Sequence, residues 1–485
     1  MQDDDSRFRC VRRMLLILLA SAAGSSEAQP AVARNLASSE QTRPNVVFVF
    51  ADQWRAQAVG YAGDPNVRTP QLDRLAQRGV VLTTAVATCP VCSPYRASLM
   101  TGRYPTTHGV FLNDVCLSRD AVSLAQAFAA GGYKTGYIGK WHLDGHGRSS
   151  FIPPERRQGF EFWRANECTH SYNRSLYYAD TDEPLYWKGY DAEAQTREAQ
   201  EYIKAHRAEP FLLVLSWGPP HNPYETAPER FRQMFKPENI RLRPNVPPAA
   251  EKAARKDLAG YYAHCAALDE YMGDILKTLE ECGIADNTIL VFTSDHGDML
   301  GSHAQARKQR PWDESIRVPF VVHWPEGMGR TGRNLDAPMG TPDIMPTLLG
   351  LCRLPIPPTV EGQDRSAWLQ GKAPDEDRAA LIACVSPFGE WTRGHGGREY
   401  RGIRTKRYTY VRSLDGPWML FDNQEDPYQE HNLVGNPQYA SLQAELGDQL
   451  DALLKKNGDE FLPGQAYIDK WNYHTDANGT VRYRP

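Results

Sequence analysis

The stretch Asn45-Val-Val-Phe-Val-Phe-Ala51 is apolar from its second residue onward, and Asp52-Gln53-Trp54 follows it directly. A strand with one wet face would alternate polar and apolar residues, so an unbroken apolar run marks a strand covered on both faces. Covering both faces takes helices on each side, and the chain beyond this stretch alternates accordingly. A helix is expected over 69–79, with Pro70 in its first turn and Gly79 as its stop. Strands are expected over 80–87, 134–138, 210–217, 288–293 and 318–324, and helices over 121–130, 192–208 and 257–281. The fold class is α/β, a large mixed, mostly parallel sheet flanked by helices. In such sheets ligands collect at the carboxyl ends of the strands.

Composition shifts near residue 375. Short strand patterns at 379–385, 400–404, 407–412 and 418–421, with Asp415-Gly416-Pro417 as a hairpin turn, predict a smaller α+β unit holding an antiparallel sheet. The expected organisation is a leader over 1–40, a catalytic domain over 41–374 and a C-terminal subdomain over 375–485. In the leader, Arg9, Arg12 and Arg13 precede an apolar run over 14–23 and then small residues, the layout of a signal peptide. That run is too short for a stable membrane span, and the expected location is secreted or periplasmic. The acidic start, Asp3 to Asp5, is atypical of a signal peptide. A formal charge of -4 leaves no basic footprint for nucleic acid or for an anionic membrane. Of nine cysteines, Cys10 lies in the leader and the rest are scattered, so export permits disulfides whose pairing is not legible.

Chemistry enters at the strand ends. Asp52-Gln53 follows the first strand, and Ser294-Asp295-His296-Gly297-Asp298 closes a late one. A single Asp after a strand is most often a turn or cap residue; two such places in one chain resemble a site for a hard cation. Between them lies Cys89-Pro-Val-Cys92-Ser-Pro-Tyr-Arg96-Ala-Ser-Leu-Met-Thr101-Gly102-Arg103. A turn on Pro94 followed by helix-favouring residues puts Arg96 one helical turn from Cys92, with Cys92 near the positive end of the helix dipole. Cys89 and Cys92 also form a C-x-x-C, which alone reads as a redox or zinc pair; no second C-x-x-C exists, and residues 94–103 have no redox explanation. Gly139-Lys140-Trp141-His142-Leu143, Pro219-Pro220-His221-Asn222-Pro223-Tyr224 and the segment 307–319 around Lys308 complete the set. Singly, each lysine reads as solvated surface and each histidine as a structural residue.

In this order, over most of residues 44–435, the motifs resemble the formylglycine-dependent sulfatase family of the alkaline phosphatase superfamily. The cysteine run matches its C-x-P-x-R signature with T-G-R behind it. The resemblance implies that a formylglycine-generating enzyme converts Cys92 to an aldehyde, whose hydrate attacks a sulfate ester. It implies that Asp52, Gln53, Asp295, His296 and the modified Cys92 hold one divalent cation, calcium or alternatively magnesium. It further implies that Lys140, Lys308 and Arg96 surround the sulfate, that His221 protonates the leaving oxygen or binds sulfate, and that His142 takes a proton to expel it. Sulfatases commonly carry Asp where this chain has Gln53, and Gln53 with His296 also fits phosphonate or phosphate ester hydrolases sharing this centre. A further alternative is an inactive protein that binds sulfated glycans. The leader points to a sulfated carbohydrate substrate, and the segment 166–190, with His170, Tyr172, Arg174, Tyr177 and Trp187, is a candidate wall for it, as is the loop 391–400 with Arg393, His395 and Arg398.

Overall fold

In the computed structural model β1 (Asn45–Asp52) stands near the middle of an eight-stranded sheet. The structure describes residues 43–482, so the leader expected over 1–40 lies outside the described residues. The other strands are β2 (Val80–Leu82), β3 (Lys134–Lys140), β4 (Phe162–Asn166), β5 (Phe211–Pro220), β6 (Thr288–Ser294), β7 (Val321–His323) and β8 (Arg333–Leu335). Their spatial order is β8-β2-β7-β6-β1-β5-β3-β4. β1 runs parallel to β5 on one side and to β6 on the other, and β3 continues the parallel set between β5 and β4. β7 is antiparallel to both its neighbours, which makes the sheet mixed.

Both faces of β1 are covered, as its continuous apolar run requires. Val46, Phe48 and Phe50 enter one core and Val47, Val49 and Ala51 the other, all without solvent exposure. The first core is roofed by α2 (Cys92–Thr101), α3 (Leu124–Ala130) and α6 (Ile344–Leu351), and the second by α1 (Pro70–Arg78), α4 (Asp191–His206) and α5 (Glu251–Glu281).

Boundaries move where local hydrogen bonds outrank pattern. α3 starts at Leu124, later than expected, because Ser123 and Gln126 form a reciprocal capping box. The strand expected over 80–87 divides, and Ala85–Val86 pairs with Met339–Gly340 in a separate small sheet. β5 runs beyond the expected end at Trp217 to Pro220, and its last three residues are buried.

The C-terminal part forms an antiparallel sheet of β9 (Ala380–Cys384), β10 (Tyr400–Arg404), β11 (Tyr408–Ser413) and β12 (Gly416–Asp422), in that order. Ser413 pairs with Gly416, so the hairpin turns at Leu414 and Asp415, just ahead of the expected turn. One face of this sheet packs on Leu446, Leu450 and Leu454 of α7 (Ala440–Lys456). The other packs against Val86 and Ile316 of the larger part. No helix among the described residues is long and apolar enough to cross a membrane.

Gly139 shows how tightly the strand ends are set. Its φ is +105°, and a Cβ there would sit 2.0 Å from the Ser216 carbonyl oxygen of β5. Gly139→Ala is therefore expected to cost at least about 1–3 kcal/mol in backbone strain alone and to push β3 off β5. A lower thermal unfolding midpoint checks it; an unchanged midpoint would show that the neighbouring strand yields.

Candidate active site

Neighbouring parallel strands end at one place, and each delivers a polar group there. β1 brings Asp52 and Gln53, β6 brings Asp295 and His296, β3 brings Lys140 and His142, and β5 brings His221. α2 meets them with Cys92 as its first residue, where the helix dipole favours negative charge. All of these side chains are buried. The turns that place them are strained: Gln53, His142, Arg307 and Gln309 hold φ of 73°, 58°, 67° and 74°, a region non-glycine residues seldom adopt.

Asp52, Cys92, Asp295 and His296 bring their ligand atoms within 4.8 Å of one another. His296 Nδ1 donates to the Gly297 carbonyl at 2.9 Å, which leaves the lone pair on Nε2. That nitrogen lies 3.4 Å from Cys92 Sγ and 3.5 Å from Asp295 Oδ1. A neutral imidazole oriented in this way has its Nε2 lone pair available to a metal. Gln53 Nε2 donates to Asp298 Oδ2 at 2.7 Å, while its Oε1 is buried with no hydrogen-bond partner. Burial and the nearby Asp52 push Asp295 up to about 6, the mark of two carboxylates confined together. An orphaned amide oxygen, paired buried carboxylates and one imidazole fit a divalent cation that takes mainly oxygen ligands. A second grouping, Cys116, Asp144 and His146, does not fit one: Arg156 already occupies both oxygens of Asp144, at 2.6 and 3.1 Å.

Cations face this cluster. Lys140 Nζ lies 2.6 Å from Asp52 Oδ2, and Lys308 Nζ lies 3.2 Å from Cys92 Sγ. Burial and Asp52 oppose ionisation of the Cys92 thiol, yet Lys140, Lys308 and His296 hold it well below the ordinary thiol range. Cys89 shows the contrast, for burial pushes it up to about 12. Cys89 and Cys92 both stand as free, buried thiols. Cys92 Sγ marks where an oxygen of the matured side chain would stand, in a field that favours negative charge.

His142 and His221 flank that atom with fixed tautomers. His142 Nε2 bonds Asp114 Oδ1 at 2.8 Å, and Arg148 Nη2 holds the other Asp114 oxygen at 2.9 Å. Nδ1 of His142 is left buried and without a hydrogen-bond partner, placed to accept a proton. Burial opposes charge on this ring while Cys168, Asp114 and Cys92 favour it, so Nδ1 can take a proton only where conversion of the thiol has removed the Cys92 share. His221 Nδ1 donates to the Asn222 carbonyl at 2.8 Å, so its Nε2 accepts from Lys308 Nζ at 3.0 Å. Burial and Lys308 hold His221 well below the usual imidazole range.

Arg96 stands elsewhere than expected. Its guanidinium does not line the cavity; it lies beneath it, 3.2 Å from Asp52 and 3.1 Å from Asp295, and donates to the Lys140 carbonyl and the Ser216 hydroxyl. Of the motif residues, Lys140, Lys308, His142 and His221 line the cavity, while Arg96 holds the carboxylates. Above them opens a cavity of about 310 Å³, lined by Cys92, Lys140, His142, His221 and Lys308 together with Asp114, Arg148, Cys168, His170, Glu390 and Thr480. A larger cavity of about 710 Å³, around Tyr61, Leu82 and Arg317, holds none of this chemistry. Sequence reading missed Asp114, Arg148, Glu390 and Thr480, which lie outside its motifs, and Cys168 lay inside the segment 166–190 without being singled out. Asp298, which holds Gln53, stood inside a quoted motif without a role.

A family model described as "Sulfatase" matches residues 44–354, and one described as "N-sulphoglucosamine sulphohydrolase, C-terminal" matches residues 301–456. An ulvan-active sulfatase of Formosa agariphila is 48% identical, the match covering 90% of this chain and 85% of that protein. An endo-4-O-sulfatase of Bacteroides thetaiotaomicron is 30% identical over 89% of this chain and 95% of its own length. A crystal structure of a sulfatase from Bacteroides fragilis superposes with a TM-score of 0.78 at 32% identity, covering 92% of this chain and 99% of that one.

Two outcomes follow from the geometry. Arg96→Met leaves both carboxylates uncompensated and is expected to destabilise the metal-free protein by about 3–5 kcal/mol. Added calcium or magnesium should recover more of its thermal midpoint than it adds to the wild type; equal gains would contradict a cation at these carboxylates. Free sulfate should raise the thermal midpoint of the wild type by mass action, and Lys308→Ala should weaken that effect. A midpoint indifferent to sulfate would show that the lysines do not form an anion clamp.

Proposed function

The chain belongs to the sulfatase family and hydrolyses sulfate esters, and from that premise we propose that its substrate is a sulfated carbohydrate, ulvan foremost. The observation that carries this reading is the 48% identity to an ulvan-active sulfatase along 85% of that protein. With it go three further assignments. The cation is calcium, with magnesium as its alternative, because the ligand set is rich in carboxylate and amide oxygen. Cys92 is matured by a formylglycine-generating enzyme, since it heads the C-x-P-x-R run. The protein is exported, on the strength of Arg9, Arg12, Arg13 and the apolar run over 14–23.

A bound cation supplies Lewis-acid charge to the sulfate oxygens, and matured Cys92 supplies the hydroxyl that attacks sulfur. The chain's own groups do the rest. Lys140 and Lys308 offset the charge of the sulfate, which would otherwise repel the incoming oxygen. A sugar alkoxide is a poor leaving group and needs a proton as it departs. His221 and Lys308 share one, 3.0 Å apart, and an arriving anion offsets the Lys308 charge that, together with burial, keeps His221 neutral. On the opposite side His142, its Nε2–H held by Asp114, presents Nδ1 to take the proton whose loss expels sulfate.

A second reading rests on Gln53. A neutral amide where an acid is common leaves the centre one negative charge short, which favours a more highly charged phosphoryl group.

The test uses enzyme co-expressed with a formylglycine-generating enzyme and loaded with calcium. The peptide holding Cys92 should lose the mass of one sulfur and two hydrogens and gain that of one oxygen. Ulvan should then release sulfate, chelation should stop the release, and calcium or magnesium should restore it. Cys92→Ala should be inactive. Faster turnover of an aryl phosphate monoester, a dianion at neutral pH, than of any sulfate ester would favour the second reading, and mature enzyme that binds ulvan without releasing sulfate would identify a binding protein instead.

A further inference from the structure

The segment that leaves β4 does work that none of the catalytic motifs accounts for. Glu167 accepts the backbone N–H groups of Leu143, Asp144 and Gly145 at 3.2, 2.9 and 2.9 Å, and so fixes the loop that follows His142. Cys168 N donates to the Arg148 carbonyl at 3.2 Å. The Tyr172 hydroxyl lies 3.3 Å from the carbonyls of both Gly218 and Asn222, and so straps the loop that carries His221. Between these anchors, His170 lays its imidazole flat against His221, with ring centroids 4.5 Å apart and planes 8° from parallel. His170 is half-buried and lines the cavity beside it.

In the structure His221 has a bond at each ring nitrogen, Nδ1 to Asn222 and Nε2 to Lys308. During turnover Nε2 must face the leaving oxygen instead, and only the Nδ1 bond remains. One hydrogen bond fixes a point on the ring but leaves the plane loose, since the outer torsion of histidine is broad. A parallel ring at 4.5 Å closes that freedom. Proton transfer is sensitive to such alignment.

We propose that His170 is a positioning residue for His221, its stacked ring holding the plane in which His221 Nε2 meets the leaving oxygen. This rests on the sulfate-ester reading above and adds to it a residue with no direct part in the chemistry. It also explains why the segment is strapped to both His142 and His221: one piece of chain sets the orientation on the two sides of the nucleophile.

The experiment compares His170→Ala and His170→Phe in the matured, calcium-loaded enzyme. Substrates are ulvan oligosaccharides and a series of aryl and alkyl sulfates graded by leaving-group basicity. His170→Ala should lower kcat on sugar and alkyl sulfates by about 10–100-fold with KM nearly unchanged. The loss should shrink to about threefold or less on 4-nitrophenyl sulfate, whose phenolate departs without a proton. His170→Phe keeps the stack and should recover most of the kcat lost in His170→Ala. Free sulfate should bind both variants as it binds the wild type. A rise in KM that Phe does not repair would show that His170 binds substrate instead. An equal loss across all leaving groups, or no loss, would overturn the proposal. If wild-type enzyme spares ulvan yet cleaves the sulfate series, the substrate reading fails, and the leaving-group series still decides the role of His170.

Discussion

A single guanidinium ties the site together. Arg96 touches Asp52 at the end of β1, the Lys140 carbonyl at the end of β3, Ser216 in β5 and Asp295 beyond β6. It does so with no solvent exposure, and its charged carbon lies 4.8 Å above the ring centroid of Phe50. Taking a charge out of water costs several kcal/mol unless partners restore what the water supplied. Here those partners are the strand ends that carry the chemistry, so the energetic demand of one buried cation becomes a geometric constraint on neighbouring strands. Because Arg96 stands one turn behind Cys92 on α2, it also sets where the nucleophile emerges.

The same cluster sorts charge by depth. Beneath Cys92 the carboxylates of Asp52 and Asp295 face Arg96 and are arranged for a cation. Above it Lys308, His142 and His221 line a cavity suited to an anion. Lys140 spans the two, bonded to Asp52 while also lining the cavity. A sulfate ester needs this arrangement, since its sulfur is reached only when the charge on its oxygens is offset. The depressed thiol of Cys92 registers the same field before any substrate arrives.

Strain accompanies that placement. The left-handed backbone at Gln53, His142, Arg307 and Gln309 turns side chains into the site that an ordinary strand or loop would aim elsewhere. Partners hold Gln53, Arg307 and Gln309 in place. Asp295 accepts the Gln53 backbone N–H, Asp298 accepts that of Arg307, and the Gln309 amide bonds the Phe388 backbone in both directions. The loop carrying Phe388 and Glu390 lies beyond β9, so the C-terminal part helps to fix Lys308 and to wall the cavity.

The α/β architecture was legible in the amino-acid order because local rules govern it. An apolar run such as 46–51, short and rich in Val and Phe, reads as a doubly covered strand, and Pro70 and Gly79 bound the helix between them. Cys92, Lys140, His142, His221, Lys308, Asp295 and Asp52 were legible as candidates because each sits in a short run that, in this order along the chain, resembles the sulfatase motifs. Arg96 was legible as part of the site but not in its place, for spacing along a helix does not say which groups the far side meets. Asp114, Arg148, Glu390 and Thr480 left no local trace, since the chain brings them to the cavity from distant loops. Charge compensation and ring stacking are through-space requirements. Only the tertiary structure decided them, because the partners of Arg96, His142 and His221 are chosen by how the strand ends and their loops converge.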